Sequence, residues 1–329
     1  THTQLLFFTT AGMVYKLKTW RLPQGSRTSK GKAIVNILPI PTGVSIAAIM
    51  PVDRDEDEWD DLQVIFCTDH GTVRRNKLSD FTNVKSNGKI AMKFEGESDG
   101  WKLINARIAS NDDNVMLTTN SGRAIRFRAD DVRVFNSRAS TGVRGIRLAG
   151  DDRVVSMSVI RHFEATSDER AAYLKMRRAM AGIADDAEVE DEDEGNANAI
   201  LPMERYVEMS EAENLILTIT SGGVGKLSSA HDYPLRGRGG MGVTAWDKRM
   251  QTGQIVASFP VEMDDQIMLA TSKGQSIRVP VDGISFRSRS AGGVKVFNTG
   301  KGEEVVSVAW IADQGDADVD GSASEDPAE

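Results

Sequence analysis

The sequence predicts an all-β fold, a propeller-like ring of four-stranded blades, and three observations carry that prediction. First, five stretches superimpose almost without gaps: LLFFTTAGMVYKLK from Leu5, VIFCTDHGTVRRNK from Val64, VMLTTNSGRAIRFR from Val115, LILTITSGGVGKLS from Leu215 and IMLATSKGQSIRVP from Ile267. Each is an apolar run, a few turn-forming residues, a glycine and a second β-rich run, the pattern of a β-hairpin. Second, the turn glycines Gly12, Gly71, Gly122, Gly222 and Gly274 lie 59, 51, 100 and 52 residues apart, a period of about 50 with one long insertion. Third, two more strands follow each hairpin within the period.

Those later strands have their own punctuation. A polar loop ends in a second glycine: SRTSKG at Gly31, VKSNG at Gly88, SRASTG at Gly142, RGRGGMG at Gly242 and RSRSAGG at Gly293. A β-rich segment follows, for example Lys32–Ile37, and a last strand closes each unit: Ser45–Ile49, Leu103–Ile108, Val154–Val159, Ile255–Phe259 and Val305–Trp310. Four strands per period make one blade, and only neighbours in a radial array can cover its faces.

The insertion, roughly His162 to Glu211, breaks the pattern. Ser167 before Asp168 and Glu169 is a helix start, and 171–180 is rich in helix formers with Ala172, Met176 and Met180 on one stripe. An acidic run follows. One surface helix and a solvated loop, tolerated between the third and fourth blades, are expected.

Charge is distributed unevenly. The chain has 329 residues, 40 Lys plus Arg against 48 Asp plus Glu, and a net charge of −8. Residues 185–194 hold eight acids and no base, and the tail from Asp313 to Glu329 holds seven acids and no base. Without these fifteen the charge is +7, and without the further run Asp53–Asp61 it is +13. A basic body with segregated acids fits a partly masked polyanion binder, as well as acids that serve only solubility. The tail 313–329 is expected to be disordered, and to compete with a polyanion for the basic surface.

Other function classes find little support. At 40% hydrophobic residues the chain can bury a large core. No apolar run is long enough to span a bilayer, and Thr1-His2-Thr3-Gln4 has no basic signal-peptide start. One cysteine, Cys67, excludes an internal disulfide framework and a CxxC metal site. A cytoplasmic protein is the expectation, and the abrupt start into Leu5–Phe8 suggests a piece of a longer chain. The histidines His2, His70, His162 and His231 show no ligand spacing, and there is no GxxxxGK[ST] loop. No cofactor, metal or catalytic residue is therefore expected.

Cations recur at fixed places in the repeat. Four residues after the turn glycine stand Lys16, Arg75, Arg126, Lys226 and Arg278. Their neighbours Leu17, Asn76, Phe127, Leu227 and Val279 are mostly apolar, so the basic column is expected to face solvent. Before the second glycine lies another column: Arg27, Lys85, Arg138, Arg238 and Arg289. The same loops and the strands after them carry Lys30, Lys32, Lys89, Arg144, Arg236, Arg287 and Lys295. In a ring, such columns become a curved positive belt, suited to bent duplex held by its phosphates. Solubilising strand-edge residues are the alternative.

The residues also carry a resemblance. The run THTQLLFFTTAGMVYKLKTWRLPQGSRTSKGKAIVNILPI, with TGVRGIRLAGDDRVVS from Thr141 and DQIMLATSKG from Asp265, resembles the C-terminal domain of DNA gyrase A over residues 1–312, less the insertion. The resemblance implies a six-bladed β-pinwheel whose basic rim wraps duplex DNA, working with the rest of gyrase A and with gyrase B to introduce negative supercoils. The family's catalytic tyrosine and ATPase lie outside this region, so no catalytic role passes to this chain. Five repeats are visible here, not six. The basic box Gln-Arg-Arg-Gly-Gly-Lys-Gly of the first repeat is absent, and Arg238, Gly239, Gly240 and Gly242 match four of its seven places within the fourth repeat. The related topoisomerase IV domain and a protein-interaction propeller are the alternatives.

Overall fold

A computed structural model describes residues 3–25, 31–182, 195–250 and 252–311, without the side chain of Met250. Arg27, Lys30, the 185–194 run and the 313–329 tail lie outside the described residues.

The five hairpins form where the apolar runs place them. They are β1 (Gln4–Thr9) with β2 (Met13–Lys18), β4 (Gln63–Thr68) with β5 (Thr72–Lys77), β8 (Asp113–Thr119) with β9 (Arg123–Arg128), β12 (Leu215–Thr220) with β13 (Val224–Ser229), and β16 (Gln266–Thr271) with β17 (Ser276–Pro280). The last strands are β3 (Ile46–Val52), β7 (Leu103–Ile108), β11 (Val154–Arg161), β15 (Ile255–Val261) and β19 (Val305–Ile311). Each pairs antiparallel with the first strand of its own hairpin. These closing strands are innermost. All five line a common cavity of about 970 Å³, with Ile49, Arg107, Ser156, Val256 and Trp310 around it.

The fourth strand is exchanged between repeats. The two-residue strands β6 (Lys89–Ile90), β10 (Val143–Arg144), β14 (Val243–Thr244) and β18 (Val294–Lys295) follow the second glycine of repeats 2 to 5. Each pairs with the hairpin of the repeat before it, on β2, β5, β9 and β13 respectively. The fifth sheet has three strands, β17-β16-β19. In repeat 1 the segment expected as a strand, 32–37, is instead a 3₁₀ turn at Ile34–Asn36. It packs Ile34 and Ile37 with Leu38 and Ile40 against Phe7 and Tyr15.

Blades stack face to face, so both faces of the inner hairpins are covered. Val64, Ile65, Phe66, Val115, Met116 and Leu117 are all buried although they alternate across the sheet. Phe8, Phe66 and Phe81 meet edge to face, with centroids 5.4–5.8 Å apart, where the first two repeats join.

Among its described residues the insertion holds two helices, where the sequence predicts one. Helix α1 (Ser167–Met180) starts in a capping box between Thr166 and Glu169. Helix α2 (Met203–Glu211) follows Pro202 with no side-chain cap, so nothing at its start marks it. Ala172 is buried and Met176 packs partly, but Met180 is 61% exposed, and Tyr173 and Met209 supply the rest of the apolar contact. The pair docks on His231 of repeat 4, whose Nε2 donates to the carbonyl of Met209 at 2.9 Å between the rings of Phe163 and Tyr173.

Burial pulls the His231 imidazole down to about 4 from its ordinary value of 6.5, so it is neutral in the folded chain. The unfolded chain takes up a proton there as pH falls through 6.5, and the folded chain does so only near 4. Stability is therefore expected to fall across that window, by up to about 3 kcal/mol in total from this group. Urea midpoints of wild type and His231→Gln between pH 7 and 5 check this. The wild type is expected to lose more stability over that range than the variant.

Candidate nucleic-acid interface

The first basic column does not face solvent. Arg75, Arg126 and Lys226 are 4%, 5% and 0% exposed, Lys16 is half-buried, and only Arg278 is exposed. The cause is the face-to-face stacking. Each buried cation lies between two blades and ends on polar groups at the joint. Arg126 Nη1 donates to the carbonyl of Ala230 at 2.8 Å in the next repeat. With the Asn114 amide oxygen turned toward the guanidinium, its Nε and Nη2 donate there at 3.0 and 2.8 Å. Lys16 Nζ reaches the carbonyl of Thr82 and pairs with Glu56 at 2.6 Å. Arg75 Nη1 donates to Asn111 at 2.8 Å. Burial holds the Arg126 guanidinium down at about 10, still charged at neutral pH. Arg278 belongs to the last blade described, with no following blade against it.

The column is also out of register in one repeat. The turn glycine with left-handed φ is Gly223, not Gly222. Lys226 pairs with Thr218 as Arg74 pairs with Phe66, while Leu227 holds the place of Arg75 and Arg126. Main-chain bonds agree: Phe135, Arg236 and Arg287 donate to the carbonyls of Arg75, Arg126 and Leu227. The position is thus cationic in four repeats. Arg74, fully buried and equivalent to Lys226, escapes the column comparison, although the pair Arg74-Arg75 marks two faces of one strand.

The second column is a set of staples along the outer edge. Arg138 Nη1 donates to the carbonyl of Ile90 at 2.9 Å, Arg238 Nη1 to that of Arg144 at 3.1 Å, and Arg289 Nη1 to that of Thr244 at 2.7 Å. Each acceptor is the second residue of the preceding repeat's exchanged strand. Arg238 Nε and Arg289 Nε add the carbonyls of Asp131 and Asp232. Arg289 is 4% exposed, which removes it from the accessible set. Arg138 is half-buried and Arg238 exposed.

The remaining predicted cations divide by burial. Lys32, Lys85, Arg144 and Lys295 are exposed, and Lys89, Arg236 and Arg287 are half-buried. Lys89 Nζ donates to the carbonyl of Asp80 at 2.6 Å. Two further exposed cations, Arg133 and Arg147, lie in or just after the same outer loop of repeat 3, outside the columns that the repeat defines. Lys85, Arg144, Arg238 and Lys295 therefore sit on the outer segments of four consecutive repeats, which the exchanged strands and arginine staples tie in sequence. No group of three or more potential metal-ligating side chains occurs among the described residues.

The family described as DNA gyrase C-terminal domain, beta-propeller matches residues 3–53, 63–99, 113–161, 214–246 and 265–309, each segment built on one hairpin. The chain belongs to the DNA gyrase A C-terminal domain family. The family match passes over 162–213, the stretch that includes α1 and α2. The DNA gyrase A protein of Granulibacter bethesdensis is 43% identical over 98% of this chain, and that of Haemophilus influenzae 34% over all of it. The chain spans about a third of the length of these curated relatives, 35% and 34% respectively. Among solved structures, a DNA gyrase A C-terminal domain superimposes with a TM-score of 0.67 at 20% identity, over 95% of this chain and 83% of that one. The C-terminal domain of a DNA topoisomerase IV gives 0.68 at 19%, over 94% and 79%. At such identities the two solved structures share the fold with this gyrase-family chain, and the sequence relatives carry the family.

Proposed function

We propose that this chain binds duplex DNA along its outer rim without reading sequence, and wraps it, as the non-catalytic accessory domain of a DNA gyrase. The rest of gyrase A, gyrase B and the DNA are its partners, and negative supercoiling in the cytoplasm is the activity it serves. The observation that carries this is the succession of exposed Lys85, Arg144, Arg238 and Lys295 on four consecutive rim segments. Their spacing follows the blade repeat, so a duplex curving round the rim meets a cation at each blade. These segments are loops and two-residue strands with no helix to enter a groove, which suits contact through phosphates rather than base edges.

The proposal sets a salt dependence. The two columns taken together would predict ten phosphate contacts. With four rim cations plus Lys32 and Arg278, log K against log salt is expected to slope at about −5. A gel-shift titration measures it, and a slope near zero removes the phosphate-contact account. Nicked circles ligated in the presence of the chain test wrapping and its sign, and an unchanged linking number would refute wrapping.

A further inference from the structure

Two buried cations take no part in the exposed rim, yet both end on it. Arg74 and Lys226 hold the same place in repeats 2 and 4, and both are 0% exposed. Lys226 Nζ donates to the carbonyls of Ser288, Arg289 and Ala291 at 3.0, 2.6 and 2.6 Å and lies 4.9 Å from the centre of a Trp246 ring. Arg74 Nη1 donates to the carbonyls of Arg138, at 2.9 Å, and Ser140, and Nη2 to that of Ala91. Its Nε is held by Asn76 Oδ1 at 2.7 Å. Arg138 and Arg289 stand four residues before the second glycine of their repeats, and Ser140 and Ala291 two before. Two different cations from two different repeats thus grip the same two carbonyls of the next repeat's rim loop.

The other repeats solve that place differently. Repeat 1 has Tyr15 there and repeat 3 has Ile125. The Tyr15 ring and the Ile125 side chain sit against Gly88 and Gly240, where an added Cβ would lie 2.8 Å from Tyr15 Cε1 and 3.7 Å from Ile125 Cδ1. The rim loops of repeats 3 and 5 are therefore anchored by a buried charge, whereas repeats 2 and 4 have apolar contact at that place, and in repeat 4 the half-buried Arg123 holds the carbonyls of Met241 and Gly242 at 3.3 and 2.8 Å instead.

We propose that Arg74 and Lys226 are positioning residues for phosphate binding: by holding loop carbonyls inward, they keep those negative dipole ends away from the phosphates and fix the strands that bear Arg144 and Lys295. A carbonyl turned outward beside a phosphate repels it, and an unpaired buried carbonyl turns to water for a partner. Two or three such carbonyls per loop depend on one cation. The inference rests on the rim binding DNA, but neither residue touches the DNA.

Lys226→Met tests it, since it takes no charge from the surface. Duplex affinity is expected to fall about five- to tenfold, as the ordered phosphate contact of repeat 5 is lost. Amide hydrogen exchange is expected to quicken in 285–293 and not in 84–88, and Lys226→Arg is expected to restore both. Faster exchange in 285–293 with wild-type affinity would overturn the positioning role while leaving the DNA reading intact. A wild-type chain that does not bind duplex at all would instead remove the DNA reading itself. Should the methionine variant fail to fold, Lys226→Gln, which keeps a donor near the carbonyls, is expected to give an intermediate loss. Unchanged affinity in that variant overturns the proposal equally.

Discussion

Arg126→Met is expected to cost about 3 kcal/mol of stability, while Arg278→Met, at the same place in the repeat, changes it by less than about 0.5 kcal/mol. The two arginines differ in what surrounds them. Arg126 lies between two blades, 5% exposed, with the Ala230 carbonyl and the Asn114 amide oxygen as acceptors. Methionine fills much of the same volume but donates nothing, so each buried acceptor left without a partner costs about 1–3 kcal/mol. Arg278 is exposed on a blade with three strands. Urea midpoints of both variants measure the contrast. Equal losses at the two positions would mean that strand propensity, not the joint between blades, sets the cost.

Gly142→Val is expected to lose about 3–4 kcal/mol, through left-handed backbone strain and forced separation of two chain segments. Gly142 has φ +97, and a Cβ on it would stand 2.1 Å from the carbonyl oxygen of Val73. That contact lies where Val143 and Arg144 join Val73 and Thr72, the exchange of a strand from repeat 3 to repeat 2. Gly242 repeats the arrangement, with φ +68 and a Cβ position 2.3 Å from the Ala124 oxygen. Gly150 gives the control. Its φ is +57 with nothing within 4 Å, so Gly150→Ala carries backbone strain alone, about 1 kcal/mol. Denaturant unfolding compares the two, and amide exchange at Thr72 and Val73 reports whether the lent strand has come away.

The hairpins are legible in the sequence because their signals are local: apolar runs, turn residues and a glycine within fourteen positions. Closing strands such as Leu103–Ile108 are legible for the same reason. Strand exchange is not, because a two-residue strand such as Val143–Arg144 has no length signal and its partner lies in another repeat. The buried cations mislead through an assumption about faces. An alternating strand with one polar side reads as open to water on that side, whereas LLFF and VIFC are apolar on both alternations and so announce a sheet covered twice. The register slip in repeat 4 comes from adjacent Gly222 and Gly223, either of which could take the turn, and the one that completes a basic column is not the one the turn uses. Helix α1 is visible through Ser167-Asp168-Glu169 and the helix formers behind them, one residue after its true cap Thr166, and α2, which follows Pro202 with no side-chain cap, is not.

The lent strands bear on how this molecule is made. During synthesis the hairpin of repeat 1 emerges with its outer edge bare, and Lys89–Ile90 can cover it only after the hairpin of repeat 2 has also emerged. Assembly therefore trails translation by one unit, like a zip whose slider stays one tooth behind. Each newborn edge is an open template for another chain until its successor arrives, so a ribosome stalled inside a repeat leaves the sheet before it sticky, and pauses in translation become hazardous once per repeat along the message, longest across the insertion.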